Sequence, residues 1–490
     1  MNRFFTYLLL FSFLFPLLGK SQLYSKAQVV EDMAILRARL DKIHPNPYYY
    51  SSRETLDSIQ QQIVSRLPDP ISRADAYVAL SSLMSRVQDG HTGVYLPKKT
   101  FGKNPKTIPL FMRKVDNAYR LSYNATPDST WIRASEVISV AGVPVEDWVD
   151  LFTQFIGDDA DNPYANSYYP VANFSAYLLR MLGPQDSVEV VVRAPNTQNL
   201  EKRYMQAQTS KESIKWISKR YPNALKKNFR YSVVDSTARL AVLEISSFSL
   251  SGKFLDLPQF KFKRSLKKSF HQIERDSIQN LVLDLRGNGG GFIPNITRLM
   301  RYISLEPFSL LESIRFKRSA FWTTAMPESI LGPLFVRLAY KRRGDYFVRY
   351  SGYKQTNPIS THHYSGRLTV LMDGGSYSAT TFTIGLLADQ KRAQFIGTRP
   401  GGINWGSFAG SWQDKKLPNT RLKTHIPIYQ LVHRLPNHSV STPFVEPDFW
   451  VQPSELEFML RRDGVLEFVK QLHGVSTAKP QNGLGRPKNL

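Results

Sequence analysis

Two glycine-rich stretches, each at the end of an apolar run, carry the residues best suited to chemistry. The first is LVLDLRGNGGGF, from Leu281 to Phe292. Glycines directly after a buried strand leave backbone N–H groups facing a pocket with no side chains in the way. Such donors suit an oxyanion or a phosphate. The loop lacks the Lys-Ser/Thr of a P-loop and does not follow the dinucleotide fingerprint. The second stretch is RLTVLMDGGSYSATTF, from Arg367 to Phe382. Here a strand ends at Gly374-Gly375 and a serine follows at a helix start. A serine so placed holds its hydroxyl at the mouth of the sheet, with the next N–H pointing the same way; it could equally do no more than cap the helix. Ser376, Ser378 and Thr380 crowd this position. Ser378 falls at the helix N-terminus, where the Ala379 N–H can join Gly289 and Gly290 around one oxyanion. Ser376 stands too early for that and Thr380 lies inside the helix.

Taken in order, these stretches resemble the C-terminal processing peptidase and tricorn-like family of serine peptidases. Asp284-Leu285-Arg286-Gly287-Asn288-Gly289-Gly290 is similar to the family's DLRxNxGG strand end. Ser378-Ala379 is similar to its serine segment, with Thr380-Thr381 where Ser/Ala-Glu is usual. Asp389-Gln390-Lys391-Arg392-Ala393, Ile396-Gly397, Leu417-Pro418-Asn419 and Glu446-Pro447-Asp448 continue in the family's order. SEVISVAGVPVEDW, Ser135 to Trp148, is similar to the core of the family's PDZ-like domain. The resemblance implies a ClpP/crotonase-like α/β core that hydrolyses peptide bonds through an acyl-enzyme on Ser378, with Gly289, Gly290 and Ala379 as the oxyanion hole.

The resemblance also bears on the base, which a serine hydroxyl needs at neutral pH. The processing branch uses a lysine, but the matching position in GTRPGGINWG is Ile403. The tricorn-like branch uses a histidine from the segment before its PDZ-like domain, and QDGHT puts His91 in that place. The branch's orienting glutamate would fall near Ser441, which is not acidic. Glu446 is the nearest carboxylate and stands as the expected third catalytic residue; Asp89, two residues before His91, is the local alternative. The rival reading on the same fold is a catalytically weak or inactive protein that holds peptides or apolar ligands, as retinoid-binding relatives do.

The elements that must position these residues can be read from periodicity. Val30, Met33, Leu36, Leu40 and Ile43 recur at helical spacing, and HPNPYYY then stops the helix. Thr55–Leu67 and Ser72–Val87 follow as helices, the latter with Ser72 as N-cap. Strands such as Tyr119–Tyr123 and Val188–Val192 dominate 105–205. From Leu240, buried strands alternate with helices: Leu240–Phe248, a basic amphipathic helix Phe260–Arg275, Leu281–Gly287, a helix Asn295–Ile303, Arg367–Asp373, a helix Ser378–Gln390 and Ala393–Ile396. That alternation predicts an α/β core on a largely parallel sheet. The expected organisation is a signal peptide over 1–21, an N-terminal helical domain over 22–104, a PDZ-like β-rich domain over 105–205, an α/β peptidase core over 206–470 and a flexible tail over 471–490.

Bulk properties bound the rest. The 490 residues exceed one ordinary core and 42% are hydrophobic, so the chain can build large interiors. Arg3, the apolar run Phe4–Leu18 and the small residues Gly19 and Ser21 read as a secretory signal cut after Ser21. The run is too short to span a bilayer. Export to the periplasm or beyond follows as an expectation. The chain has no cysteine, which excludes disulfides, thiol nucleophiles and thiolate metal sites. The net charge of +24 is scattered, densest in KFKRSLKK at 261–268, and no nucleic-acid motif accompanies it. His362 and His363 are adjacent and cannot share a helix face, and no HExxH occurs. No metal or cofactor is expected, and the expected partner is a peptide or protein substrate.

Overall fold

The strand Asn280–Asp284, apolar on both sides, lies third in a six-stranded sheet of order Phe229–Asp235, Leu240–Ile245, Asn280–Asp284, Arg367–Met372, Gln394–Gly397 and Phe449–Trp450. The first pair is antiparallel and the rest are parallel. These are features of a computed structural model that describes residues 22–475, apart from 98, 223, 225–227, 250–257, 323–335, 337, 351–356 and 438–442. The expected signal peptide, and the tail beyond 475, lie outside the described residues.

Helices cover both faces of this sheet, which is why its strands read as continuous apolar runs rather than alternating ones. On one face, helices Pro258–Arg275, Ile293–Ile303 and Ala379–Asp389 pack with Leu281, Leu283 and Val370. On the other, Val465 and Val469 of helix Gly464–Leu472 meet Val282, Leu371 and Ile396. Asn280–Asp284 and Arg367–Met372 are parallel neighbours, with Leu283 opposite Val370 and Asp284 opposite Leu371. Their following loops therefore emerge side by side at the carboxyl end of the sheet, where open α/β sheets bind ligands.

Residues 22–95 supply helices Lys26–Ile43, Arg53–Arg66 and Arg73–Ser85, the last capped by Ser72 accepting from the Asp75 N–H. A second sheet, antiparallel, runs through Met112–Val115, Ala118–Leu121, Glu136–Val140, Ser187–Arg193 and Leu200–Gln206. The hairpin at Gly142 leads into helix Val145–Thr153, where Trp148 is fully buried and donates from Nε1 to Val140 O at 2.9 Å.

A third sheet was not anticipated. Lys341–Arg343, Tyr346–Tyr350, Leu311–Lys317, Lys423–His433 and Gly406–Lys416 form an antiparallel unit inside the stretch read as pure α/β core. The short strand Gly93–Tyr95 joins it, with Gly93 opposite His425 and Val94 opposite Thr424. This pairing ties the segment just after His91 to the body of the molecule. Two further helices, Pro163–Ala172 and Phe174–Leu182, also escaped the sequence reading. The first brings Tyr164, Tyr168 and Tyr169 towards the glycine-rich loops.

Candidate active site

Ser378 is the N-cap of helix Ala379–Asp389, with φ +56° and ψ −119°. A non-glycine residue in that conformation is strained. Sharp strand-to-helix turns use such strain to expose a side chain at the end of a sheet. The turn is fixed from below. Asp373 Oδ1 accepts from Gly375 N at 2.9 Å and from Gly287 N at 2.8 Å, joining the two glycine loops. Ser376 Oγ donates to Leu285 O at 2.9 Å and accepts from Asp373 N at 3.1 Å, and the residue is fully buried. Thr380 Oγ1 donates to Asn288 O at 2.8 Å, again fully buried. Of the three crowded hydroxyls, Ser376 and Thr380 are thus committed to backbone carbonyls, while Ser378 Oγ faces a histidine.

That histidine is His91, whose Nε2 lies 3.1 Å from Ser378 Oγ. Around its Nδ1 stand Ser407 Oγ at 3.3 Å, Tyr377 Oη at 3.4 Å and Asp89 Oδ1 at 3.7 Å. The Tyr377 hydroxyl donates to Asp159 Oδ1 at 2.8 Å, so towards His91 its oxygen is an acceptor. All three neighbours suit a proton on Nδ1, which leaves Nε2 bare towards the serine. Asp89 is buried and well held. Its Oδ1 accepts the His91 backbone N–H at 3.1 Å, and its Oδ2 accepts from Thr92 Oγ1 and from His44 Nε2, the latter at 3.1 Å. His44 Nδ1 accepts the Asn46 N–H at 3.1 Å, so the ring's proton sits on Nε2 and points at Asp89. Asp159 accepts the Gly90 N–H at 3.0 Å. Gly90 has no room for a side chain, because a Cβ there would lie 2.1 Å from Tyr377 Oη.

Electrostatics follow from this burial. Desolvation alone would push the Asp89 carboxyl up, but hydrogen bonds from His44 and His91 hold it below the usual carboxylate range. Desolvation lowers the His91 pKa, yet the Asp89 carboxylate 3.7 Å from its Nδ1, with the charge of Asp159, outweighs it and leaves it raised. Burial pushes Asp159 up, and raises the Tyr377 phenol far above its ordinary value with help from Asp159. The phenol therefore stays protonated and keeps its bond to Asp159.

The Gly289-Gly290 loop lies against Ser378. A Cβ on Gly290 would stand 2.8 Å from both Ser378 Cβ and Ala379 N, and 2.7 Å from Tyr377 O, with φ at +94°. Only glycine fits so close an approach. The Gly290 N–H, expected among the oxyanion donors, instead donates to Asn288 Oδ1 at 2.9 Å, and Asn288 is in turn anchored on Ile245 O at 2.8 Å. The Ala379 N–H opens its helix, where no intrahelical acceptor exists. Around Gly289 the loop is open, since a Cβ there would meet only Tyr169 Oη, at 3.9 Å.

Residues 239–429 match the model of peptidase family S41. The chain carries a peptidase family S41 domain. It is a serine-type peptidase, with a mixed α/β S41 peptidase fold. Among solved structures, mature CPAF is similar at 16% identity and a TM-score of 0.60, over 91% of this chain and 96% of that one. Mature CPAF complexed with lactacystin is similar at 16% identity and a TM-score of 0.62, over 91% and 98%. The photosystem II D1 C-terminal processing protease aligns over 89% and 97% at 16% identity and a TM-score of 0.42. No curated protein matches the chain.

Within the S41 domain and its flanks, the expected site residues fall in different places. Ser378, His91, Ala379 and the Gly289-Gly290 loop come together. Glu446, expected as the third member, does not join them: it pairs with Arg399 at 2.7 Å and is half exposed. The carboxylates beside His91 are Asp89 and Asp159. Asp89 is the local alternative that the sequence offers, whereas no spacing in the sequence points to Asp159, Tyr377, Ser407 or His44. Ile403, at the position of the absent lysine, is buried.

Proposed function

We propose that the chain is an exported peptidase that cleaves peptide or protein substrates through an acyl-enzyme on Ser378. The carrying observation is the 3.1 Å approach of His91 Nε2 to Ser378 Oγ at a strained helix N-terminus. In this reading Ser378 Oγ attacks the scissile carbonyl while His91 Nε2 takes its proton. The Gly289 and Ala379 N–H groups hold the oxyanion. His91 then protonates the leaving amine, and water enters by the same route in reverse to release the acyl group. Asp89, held by His44, Thr92 and the His91 backbone, stabilises the imidazolium. Tyr377 and Asp159 steady the same ring from the side. Glu446 has no part in this scheme.

The finer architecture belongs to the same proposal. Residues 206–470 form the ClpP/crotonase-like core, 22–104 an N-terminal helical domain and 105–205 a PDZ-like domain. The antiparallel sheet and the Val145–Thr153 helix support the last assignment, and such a domain captures a peptide terminus by strand addition. The ligand-binding rival rested on the missing lysine and the uncertain acid; the approach of His91 to Ser378, with Asp89 beside His91, supports the peptidase reading instead, and no observation favours the rival. The direct test is a fluorophosphonate probe on the purified protein. Stoichiometric labelling of Ser378, absent in Ser378→Ala, is expected; an unlabelled wild-type protein that also cleaves no peptide would sink the proposal.

A further inference from the structure

His271 and Glu274 stand three residues apart near the carboxyl end of helix Pro258–Arg275, on its solvent side, where residues at that spacing are neighbours. His362 arrives from the chain leading into strand Arg367–Met372. Its Nδ1 lies 3.0 Å from Glu274 Oε2, and its ring centroid is 4.6 Å from that of His271. One donor atom from each of the three falls within 4.8 Å of the others.

Both supports are fixed. The helix is anchored by buried Phe262, Leu266, Phe270 and Ile273, and Phe270 stacks on Tyr302 at 4.6 Å. The His362 segment is pinned to helix Ile293–Ile303 by Ser360 N donating to Arg301 O and Tyr364 N to Tyr302 O, each at 2.6 Å. The His362 N–H itself donates to Ser360 Oγ at 3.2 Å. Only side chains need to turn for the three donors to converge.

We propose that His271, Glu274 and His362 form a surface site for a borderline divalent cation, zinc in the first place. Two imidazoles and one carboxylate are a zinc donor set, whereas magnesium and calcium prefer all-oxygen shells. Tetrahedral zinc with bonds of about 2.0–2.1 Å sets its ligand atoms about 3.4 Å apart, within reach of exposed rotamers from the present spacing. The carboxyl end of a long helix also favours a cation, which offsets part of the positive charge further up this helix. Its office is to clamp the basic helix to the lead-in of the Arg367–Met372 strand. The adjacent His362-His363 pair had suggested no metal because the partner of His362 lies far upstream on another element.

The test uses the full-length, metal-stripped protein titrated with zinc by calorimetry and with cobalt by visible absorption. One equivalent of zinc is expected, together with a raised melting temperature. His271→Ala and His362→Ala, folded by circular dichroism, should each weaken binding by more than about tenfold and abolish the thermal shift. Absence of stoichiometric binding would overturn the site. So would binding that survives His271→Ala/His362→Ala but disappears in His91→Ala, which would assign the ion to the Asp89, His91 and Asp159 cluster instead.

Discussion

Three hydroxyls crowd the turn before helix Ala379–Asp389, and their partners separate them. Ser378→Ala should abolish peptide hydrolysis and fluorophosphonate labelling while leaving the melting temperature near that of the parent, since it removes no backbone clip. Ser376→Ala should keep the label but lose about 1–3 kcal/mol in denaturant unfolding, because Leu285 O and Asp373 N lose a buried partner. Labelling that followed Ser376 instead would move the nucleophile. The base has its own signature. As the proposed base His91 works when neutral, so kcat/KM should rise with pH through its free-enzyme pKa. That pKa is raised above the ordinary value of about 6.5, against desolvation, by Asp89 and Asp159. Asp159→Asn removes one raising charge, and the acid limb should move to lower pH. A pH profile unmoved by Asp159→Asn would uncouple that carboxylate from the base. None of this was legible locally: His91 and Ser378 are 287 residues apart, and only a family resemblance joined them. Tyr377 and Asp159 gain a role through packing, and no spacing in the sequence announces it.

At the scale of elements, the DLRGNGG run does two jobs that its residues divide. Its glycines leave room beside Ser378, and its arginine locks the strand end to the C-terminal helix. Arg286 Nη2 lies 2.6 Å from both Asp284 Oδ2 and Asp463 Oδ2, and a second pair of bonds makes each contact two-pronged. Asp463 is itself the N-cap of helix Gly464–Leu472. Desolvation would raise its pKa, but the Arg286 charge and hydrogen bonds lower it to about 2. Arg286→Ala removes the guanidinium that the two carboxylates share, and should cost about 3–5 kcal/mol in chemical denaturation. An unchanged midpoint would show the cluster to be ornamental. Gly290→Ala should cost stability as well as activity, because the methyl would meet Tyr377 O at 2.7 Å and both Ala379 N and Ser378 Cβ at 2.8 Å, with φ at +94°. The strands and helices that form the parallel sheet were legible because burial on both faces gives unbroken apolar runs. Helix Pro163–Ala172 was not, since PYANSYYPVA carries Pro170 inside it, a residue that reads as a breaker. The strands of the third sheet escaped because Gly406–Lys416 passes from buried to exposed along its length and shows no single period.

At the scale of the whole molecule, the residues of the proposed site are drawn from segments that only the complete body assembles: His44 and His91 near the start, Asp159 about a third of the way along, Ser378 and Ser407 late. The first described residues are tied into that body. Gln22 Oε1 accepts from Arg73 Nη2 at 2.9 Å. Leu23–Tyr24 pairs with Ile71–Ser72, and Tyr24, nearly fully buried, donates from its hydroxyl to Thr420 O at 3.2 Å. Ser25 then caps helix Lys26–Ile43 in a reciprocal box with Gln28, worth about 1 kcal/mol by itself. A cut after Ser21 would spare every one of these contacts, whereas a cut four residues later would remove a buried aromatic and a helix cap. N-terminal sequencing of the protein recovered from the periplasm or medium should begin near Gln22. A version starting at Gln22 should melt at the same temperature as the processed protein, and one starting at Lys26 several degrees lower, as the loss of a buried tyrosine and a cap requires. Protein retained in the cytosol with Met1 intact would refute export, and equal melting of the two truncations would show that the first strand contributes nothing to the fold.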